Sequence, residues 1–171
     1  MNSRYKHIWG AMGVDISVGQ KWIRRVNVTK INNPLNIEII TSPYEGEPRY
    51  YVKDLLHGDY FFFTREDIIN NYEKKTYPYD LDLNEQACEA LGWRYVQDDK
   101  GEWSMVSGGK EKQIPDFLGN PKMSEKLLET LDKYKPKFKV KLGKYILYLD
   151  KSYVGETREQ AICAAFVDKN S

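Results

Sequence analysis

The stretch GETREQAICAAFV, from Gly155 to Val167, constrains this chain more than any other. Thr157 stands three residues before Gln160, the spacing of a capping box, in which two side chains satisfy N–H groups orphaned at a helix start. Behind them Ala161, Ile162, Ala165 and Phe166 fall on one stripe at helical period. A strand-like run from Lys144 to Val154 leads straight into this helix. A helix with an apolar stripe needs cover, so the C-terminal half is expected to be built around burying it.

At 171 residues the chain suits one domain or two small ones. Its net charge of +1 gives no global reason to expect nucleic acid or an anionic membrane as partner. No run of 18 apolar residues is present, and MNSRYKHIWGAMG lacks the apolar core of a signal peptide. Cys88 and Cys163 lie far apart, each in an expected helix, which fits reduced, buried thiols of a cytosolic protein. Thirteen tyrosines and four tryptophans are enough to fill small cores and leave some rings at the surface for planar ligands.

The N-terminal half reads as short strands. SVGQKWIRRVNV, from Ser17, is expected to be a strand with a bulge, NNPLN a turn, and Ile37 to Ile40 a second strand. SPYEGEP is a loop, Arg49 to Lys53 extended, His57-Gly58-Asp59 a turn, and Tyr60 to Phe63 a fourth strand. Thr64 then caps a helix reaching about Tyr72, with Glu66 and Asp67 where the macrodipole favours acids. Such a run of strands closed by a helix predicts a small barrel. Gly19-Gln20-Lys21-Trp22 and the later run Phe63-Thr64-Arg65-Glu66-Asp67-Ile68-Ile69 resemble the opening and closing words of SH3-like barrels in phage accessory proteins. That resemblance covers residues 17 to 74 and implies an SH3-like β-barrel over residues 1–77.

Charged residues and Pro78 mark residues 78–81 as a linker. Beyond it Asp82 or Asn84 caps a helix carrying Leu83, Ala87, Cys88 and Leu91 on one face, stopped by Gly92. Trp93 to Val96 and Glu102 to Val106 form a hairpin about DDKG. A glycine-rich loop follows, then a helix marked by Met123, Leu127, Leu128, Leu131 and Tyr134. Phe138, Val140 and Leu142 alternate with lysines as in a half-buried strand, and two further strands precede the final helix. The order is α-β-β-α-β-β-β-α. The words Cys88-Glu89-Ala90-Leu91-Gly92-Trp93, Trp103, Ile114-Pro115-Asp116-Phe117 and the set Thr157, Ala161, Ile162, Cys163, Ala165 resemble the phage ABA-sandwich family across residues 82–168, which implies a domain of that kind over residues 82–171. Family members often carry Ser-Thr-Asp where this chain has Leu118-Gly119-Asn120. The resemblance implies an α/β sandwich and a phage origin, and no reaction, because no activity attaches to the family.

No residue set demands a particular chemistry. His7 and His57 are fifty residues apart without ligands at metal spacing, and Gly108-Gly109-Lys110 has Glu111 where a phosphate loop needs Ser or Thr. No catalytic residue, metal or cofactor is therefore expected. Two features are candidates for binding. The loop from Ser107 to Pro121 is either a plain connection or an anion-receiving segment using Gly108, Gly109, Lys110 and Lys112. Lys137, Lys139 and Lys141 share one strand face, with Tyr145 nearby, and form either a solvated edge or a surface for an acidic protein or a nucleotide.

The expected function is non-enzymatic binding, by a phage-encoded protein in the host bacterial cytoplasm, that inhibits a host component such as an anti-phage defence system through protein–protein contact. A sponge that sequesters a small nucleotide immune signal is the alternative. Single-stranded nucleic-acid binding is third, disfavoured by the neutral N-terminal half. Expected partners are thus a host bacterial protein or a small nucleotide, without a membrane, and with a homo-oligomer left open.

Overall fold

Alternating apolar and polar residues between turn signals give strands throughout, and the two halves use them differently. The computed structural model describes residues 14–108 and 113–171. The chain divides into two units between Thr76 and Tyr77.

In the first unit β1 (Lys21–Arg24), β2 (Asn36–Thr41), β3 (Tyr50–Asp54), β4 (Tyr60–Phe63) and β5 (Tyr72–Lys74) form one antiparallel sheet in the order β4-β3-β2-β1-β5. The expected SH3-like barrel does not form. Closure needs β4 and β5 to pair, and they lie at opposite edges of an open sheet. The chain passes from one to the other through α1 (Arg65–Asn71), whose Ile68 is wholly buried with Trp22, Ile37, Ile39, Val52 and Tyr72. A helix packed on the core, not a hydrogen-bonded seam, links the two edges.

Other local expectations also change. The first strand is only four residues long, because the N–H of Val28 turns back onto the Arg25 carbonyl at 3.0 Å. The irregularity in the ladder is in β2, between Ile39 and Thr41, and not in β1. Tyr72 opens β5 instead of ending the helix, and its buried hydroxyl donates to the Pro34 carbonyl at 2.8 Å. Thr64 caps α1 in a complete box. Its hydroxyl accepts the Asp67 N–H at 3.1 Å, and the Asp67 carboxylate accepts the Thr64 N–H at 2.9 Å.

In the second unit the elements run α2 (Leu83–Ala90), β6 (Arg94–Gln97), β7 (Trp103–Val106), α3 (Pro121–Glu129), β8 (Lys137–Lys141), β9 (Lys144–Tyr148), β10 (Ser152–Gly155) and α4 (Arg158–Asn170). The strands make two separate sheets, a ribbon β6-β7 and a three-stranded sheet β10-β9-β8. Helix α4 packs on α2, α3, β9 and β10. Its Ala161, Ile162, Cys163, Ala165 and Phe166 lie in one core with Cys88, Trp93, Phe117, Leu127, Leu131 and Leu147. Tyr77, expected to end the first domain, belongs here. Its ring lies 5.0 Å from Tyr95 and 6.3 Å from Trp103, and its hydroxyl donates to the buried carboxylate of Glu89. Tyr79, in the expected linker, sits 6.2 Å from Tyr95.

The junction into α4 shows why Gly155 precedes Thr157. A Cβ on Gly155 would lie 2.6 Å from the Ala161 nitrogen and 2.7 Å from the Thr157 carbonyl oxygen, closer than atoms pack. The Thr157 hydroxyl accepts the Gln160 N–H at 3.1 Å, but the Gln160 amide reaches past Thr157 to the Glu156 N–H at 2.8 Å. Half of the box thus serves the preceding residue. Thr157→Ala is expected to lower stability by about 1 kcal/mol. Gly155→Ala should cost more, about 1–3 kcal/mol, because backbone must shift to admit the methyl. Urea titrations followed by circular dichroism check both; an unaltered midpoint for Gly155→Ala would contradict the close approach.

Candidate binding surface

The lysine strand lies at an edge. β8 pairs only with β9 among the described residues, in the register Lys137↔Tyr148, Lys139↔Ile146 and Lys141↔Lys144. β9 in turn pairs Tyr148 with Ser152 and Ile146 with Val154 of β10. Because side chains alternate across a sheet, one face carries Lys137, Lys139, Lys141, Lys144, Tyr148, Ile146 and Val154. The opposite face carries Phe138, Leu147 and Tyr153, which meet the core. The first face has an apolar strip, Tyr148–Ile146–Val154, bordered along β8 by lysines. Val154 is 56% exposed there.

Charge on this face is scarcely neutralised. Lys144 Nζ lies 3.4 Å from Glu156, while no carboxylate pairs with Lys137, Lys139 or Lys141 among the described residues. Lys139 Nζ sits 5.8 Å from the centre of the Tyr148 ring, a cation–π contact. Lys141 and Lys144 stand directly opposite each other, an arrangement of like charges that destabilises a strand pair.

The turn between them is equally unusual. Leu142 and Gly143 both have positive φ, 53° and 75°, which makes a two-residue hairpin turn of the type that prefers Asn-Gly. A leucine in left-handed geometry costs about 1–2 kcal/mol. Leu142 is nevertheless 93% exposed and Val140 beside it 65% exposed. Neither the turn nor the core accounts for these side chains.

The sequence-based candidates are therefore only partly brought together. Lys137, Lys139 and Lys141 share the face as expected. Tyr145 does not join them, because it pairs with Val140 and points to the other side of the sheet. Tyr148 takes its place. Gly108 is exposed at the end of the β6–β7 ribbon, with open space where a side chain would stand. Gly109, Lys110 and Lys112 lie outside the described residues. The second half of that loop is pinned, not loose. Asn84 on α2 donates to the Pro115 carbonyl at 2.9 Å and accepts the Phe117 N–H at 2.7 Å, with Phe117 in the core. The sequence offers Asn84 only as a cap, which is the role of Asp82.

Neither cysteine is prepared as a nucleophile. Burial pushes the thiols of Cys88 and Cys163 up to about 12, and neighbouring carboxylates add to this, so both stay protonated at neutral pH. His57 Nδ1 lies 2.9 Å from Asp54, whose carboxylate also accepts the N–H groups of Leu56 and His57. That set is a turn stabilised through Asp54. No group of three or more His, Cys, Asp or Glu side chains suited to a metal occurs among the described residues. No described helix is long and apolar enough to cross a membrane.

Comparison with protein-family models, curated proteins and solved structures found no match to this chain.

The buried thiols and phenols fix a pH dependence. Both thiols have folded values above their ordinary 9.0, so the folded chain keeps protons that the unfolded chain loses. Stability from them is complete below about pH 9 and falls as pH rises towards 12. Tyr95, pushed up to about 12 chiefly by its hydrogen bond to Glu85, adds the same effect from its ordinary 10.0 upward. The urea midpoint should therefore drop from about pH 9. Replacing both cysteines by alanine should move the onset to about pH 10, where the tyrosines take over. An onset that stays in place would remove the thiols from the account.

Proposed function

We propose that this chain is a non-enzymatic binding protein that docks onto an acidic protein partner through the outer face of β8-β9-β10 and the β8–β9 hairpin tip. The resemblance to small phage domains supports a host component as that partner, with binding that inhibits it in the host bacterial cytoplasm; an anti-phage defence protein is the expected kind. The observation that carries the reading is Leu142. A large aliphatic side chain held almost fully in water, in backbone geometry that disfavours it, and flanked by Lys139, Lys141 and Lys144, suits an anchor that fills a partner's pocket inside a ring of charge pairs. The nucleotide-sponge reading has less support, since the face is open and Tyr145 points away from the lysines.

Two variants and a salt titration test the docking face. Changing Lys137, Lys139 and Lys141 together to Glu should abolish co-purification of the partner from host cells while the melting temperature holds or rises, since like-charge opposition to Lys144 is relieved. Binding by the unaltered chain should also weaken as salt increases. Leu142→Asn separates function from stability more sharply. It places the favoured Asn-Gly in the turn and should raise stability by about 1 kcal/mol, yet weaken binding tenfold or more. Unchanged affinity in both variants would remove this face from the function.

A further inference from the structure

The two sheets treat their open edges in opposite ways. β8 carries Lys137, Lys139 and Lys141, the common device against unwanted strand pairing. β4, the edge of the five-stranded sheet, reads Tyr60-Phe61-Phe62-Phe63 and has no lysine, no proline and no bulge. Among the described residues no strand lies on its outer side.

Its hydrogen-bond phase can be read from the ladder. The Asp54 N–H donates to the Asp59 carbonyl at 2.8 Å, so the bonded pairs between β3 and β4 involve Asp59, Phe61 and Phe63. Tyr60 and Phe62 alternate with these and turn their N–H and C=O groups to the open edge. The same two residues expose their rings, at 48% and 45%. Tyr51 of β3 lies between them, stacked on Tyr60 at 5.0 Å and tilted against Phe62 at 4.9 Å. Lys53 lies over Tyr60 and Arg49 over Phe62, so a cation closes each end of the aromatic row.

We infer that β4 pairs with β4 of a second copy of this chain, antiparallel about a two-fold axis at Phe61, joining two sheets into one. In that register Tyr60 lies opposite Phe62 of the second copy, and Phe62 opposite its Tyr60. Both members of each pair turn backbone groups outward, so each pair exchanges N–H···O bonds in both directions. A shift of one residue would oppose an outward-turned residue to an inward-turned one and lose this match. The side chains agree with the backbone. Each row across the seam becomes Lys53, Tyr60, then Phe62 and Tyr51 of the second copy, so aromatic rings meet at the centre. The lysines stay at the outer ends, about three strand spacings of 4.8 Å apart. Phe61, partly buried against the core, meets its own copy on the inner face. A partner with a different sequence need not reproduce these pairings; a second copy satisfies them by symmetry. The strand is short, so the dimer is concentration-dependent.

Sedimentation of the full chain across the micromolar range should show a monomer–dimer equilibrium. Phe62→Lys puts a guarding charge at an exposed position and should weaken association at least tenfold without altering the unfolding midpoint; Tyr60→Lys should do the same. The register itself is tested with Phe61→Cys. A pair of this kind has Cα atoms about 4.5 Å apart, within disulfide reach, and the native Cys88 and Cys163 are buried. Mild oxidation should yield a cross-linked dimer, while Val154→Cys, exposed on the other unit, should not. A chain that sediments as a monomer at every concentration overturns the proposal, and leaves the edge to an extended segment of another protein. So does a dimer that survives both lysine variants and does not cross-link at position 61.

Discussion

The second unit depends on one close approach, that of the Gly155 backbone to the first turn of α4. With no Cβ in the way, the chain leaves β10 and enters the helix within two residues, and the Ala161 nitrogen comes where a side chain would otherwise be. Everything on α4 follows from that entry angle. Ile162 and Phe166 reach the core beside Leu147 and Leu131, and Cys163 is buried with Cys88. The helix carries small residues, Ala161 and Ala165, both wholly buried, where it lies among strands and two other helices. Burial there, not reactivity, explains both thiols.

Local hydrogen bonding was legible in the sequence and non-local pairing was not. Thr64 and Thr157 cap their helices, and so does Asp82, one of two residues expected at its cap, because a cap is decided by residues three apart. The shape of the first unit is decided by edges separated by a whole sheet, and no short word records whether β4 and β5 meet. The words that resembled an SH3-like barrel mark strands and a capped helix, which an open sheet also contains. The face of Tyr145 was lost for a related reason. Period-2 spacing places the lysines correctly relative to one another along β8, but Tyr145 belongs to β9, and its side is set by a turn. Leu142-Gly143 is a two-residue turn with an unfavoured first residue, so the register it imposes is hard to foresee.

The near-neutral composition conceals the lysine face for a physical reason. Many acids are held locally by backbone or phenol groups. Asp67, Asp82 and Asp98 accept backbone N–H groups at caps and a turn. Glu85 accepts from Tyr95, and Asp168 from Tyr153. A carboxylate held in this way is fixed in place, and screening limits its reach to about 10 Å. The lysines of β8 have no such local partners among the described residues and stand together because a strand period puts them there. A net charge of +1 is then a sum over acids held locally and lysines that are not.

The same separation argues that the two edges have different tasks. An edge lined with lysines repels another copy of itself, since like charges would face each other across the seam, and it admits only a partner of opposite charge. The aromatic edge strand carries no charge of its own, the cations over its rings being Lys53 and Arg49 from the neighbouring segment, and it gains from its own copy. Phe62 at one edge and Lys139 at the other are both exposed, yet the first is costly to leave in water and the second is not. Exposed apolar groups need a covering partner before exposed charges do. By that measure Leu142, 93% exposed at the lysine hairpin, needs cover as Phe62 does, and the cover proposed is a different protein for the one and a second copy for the other.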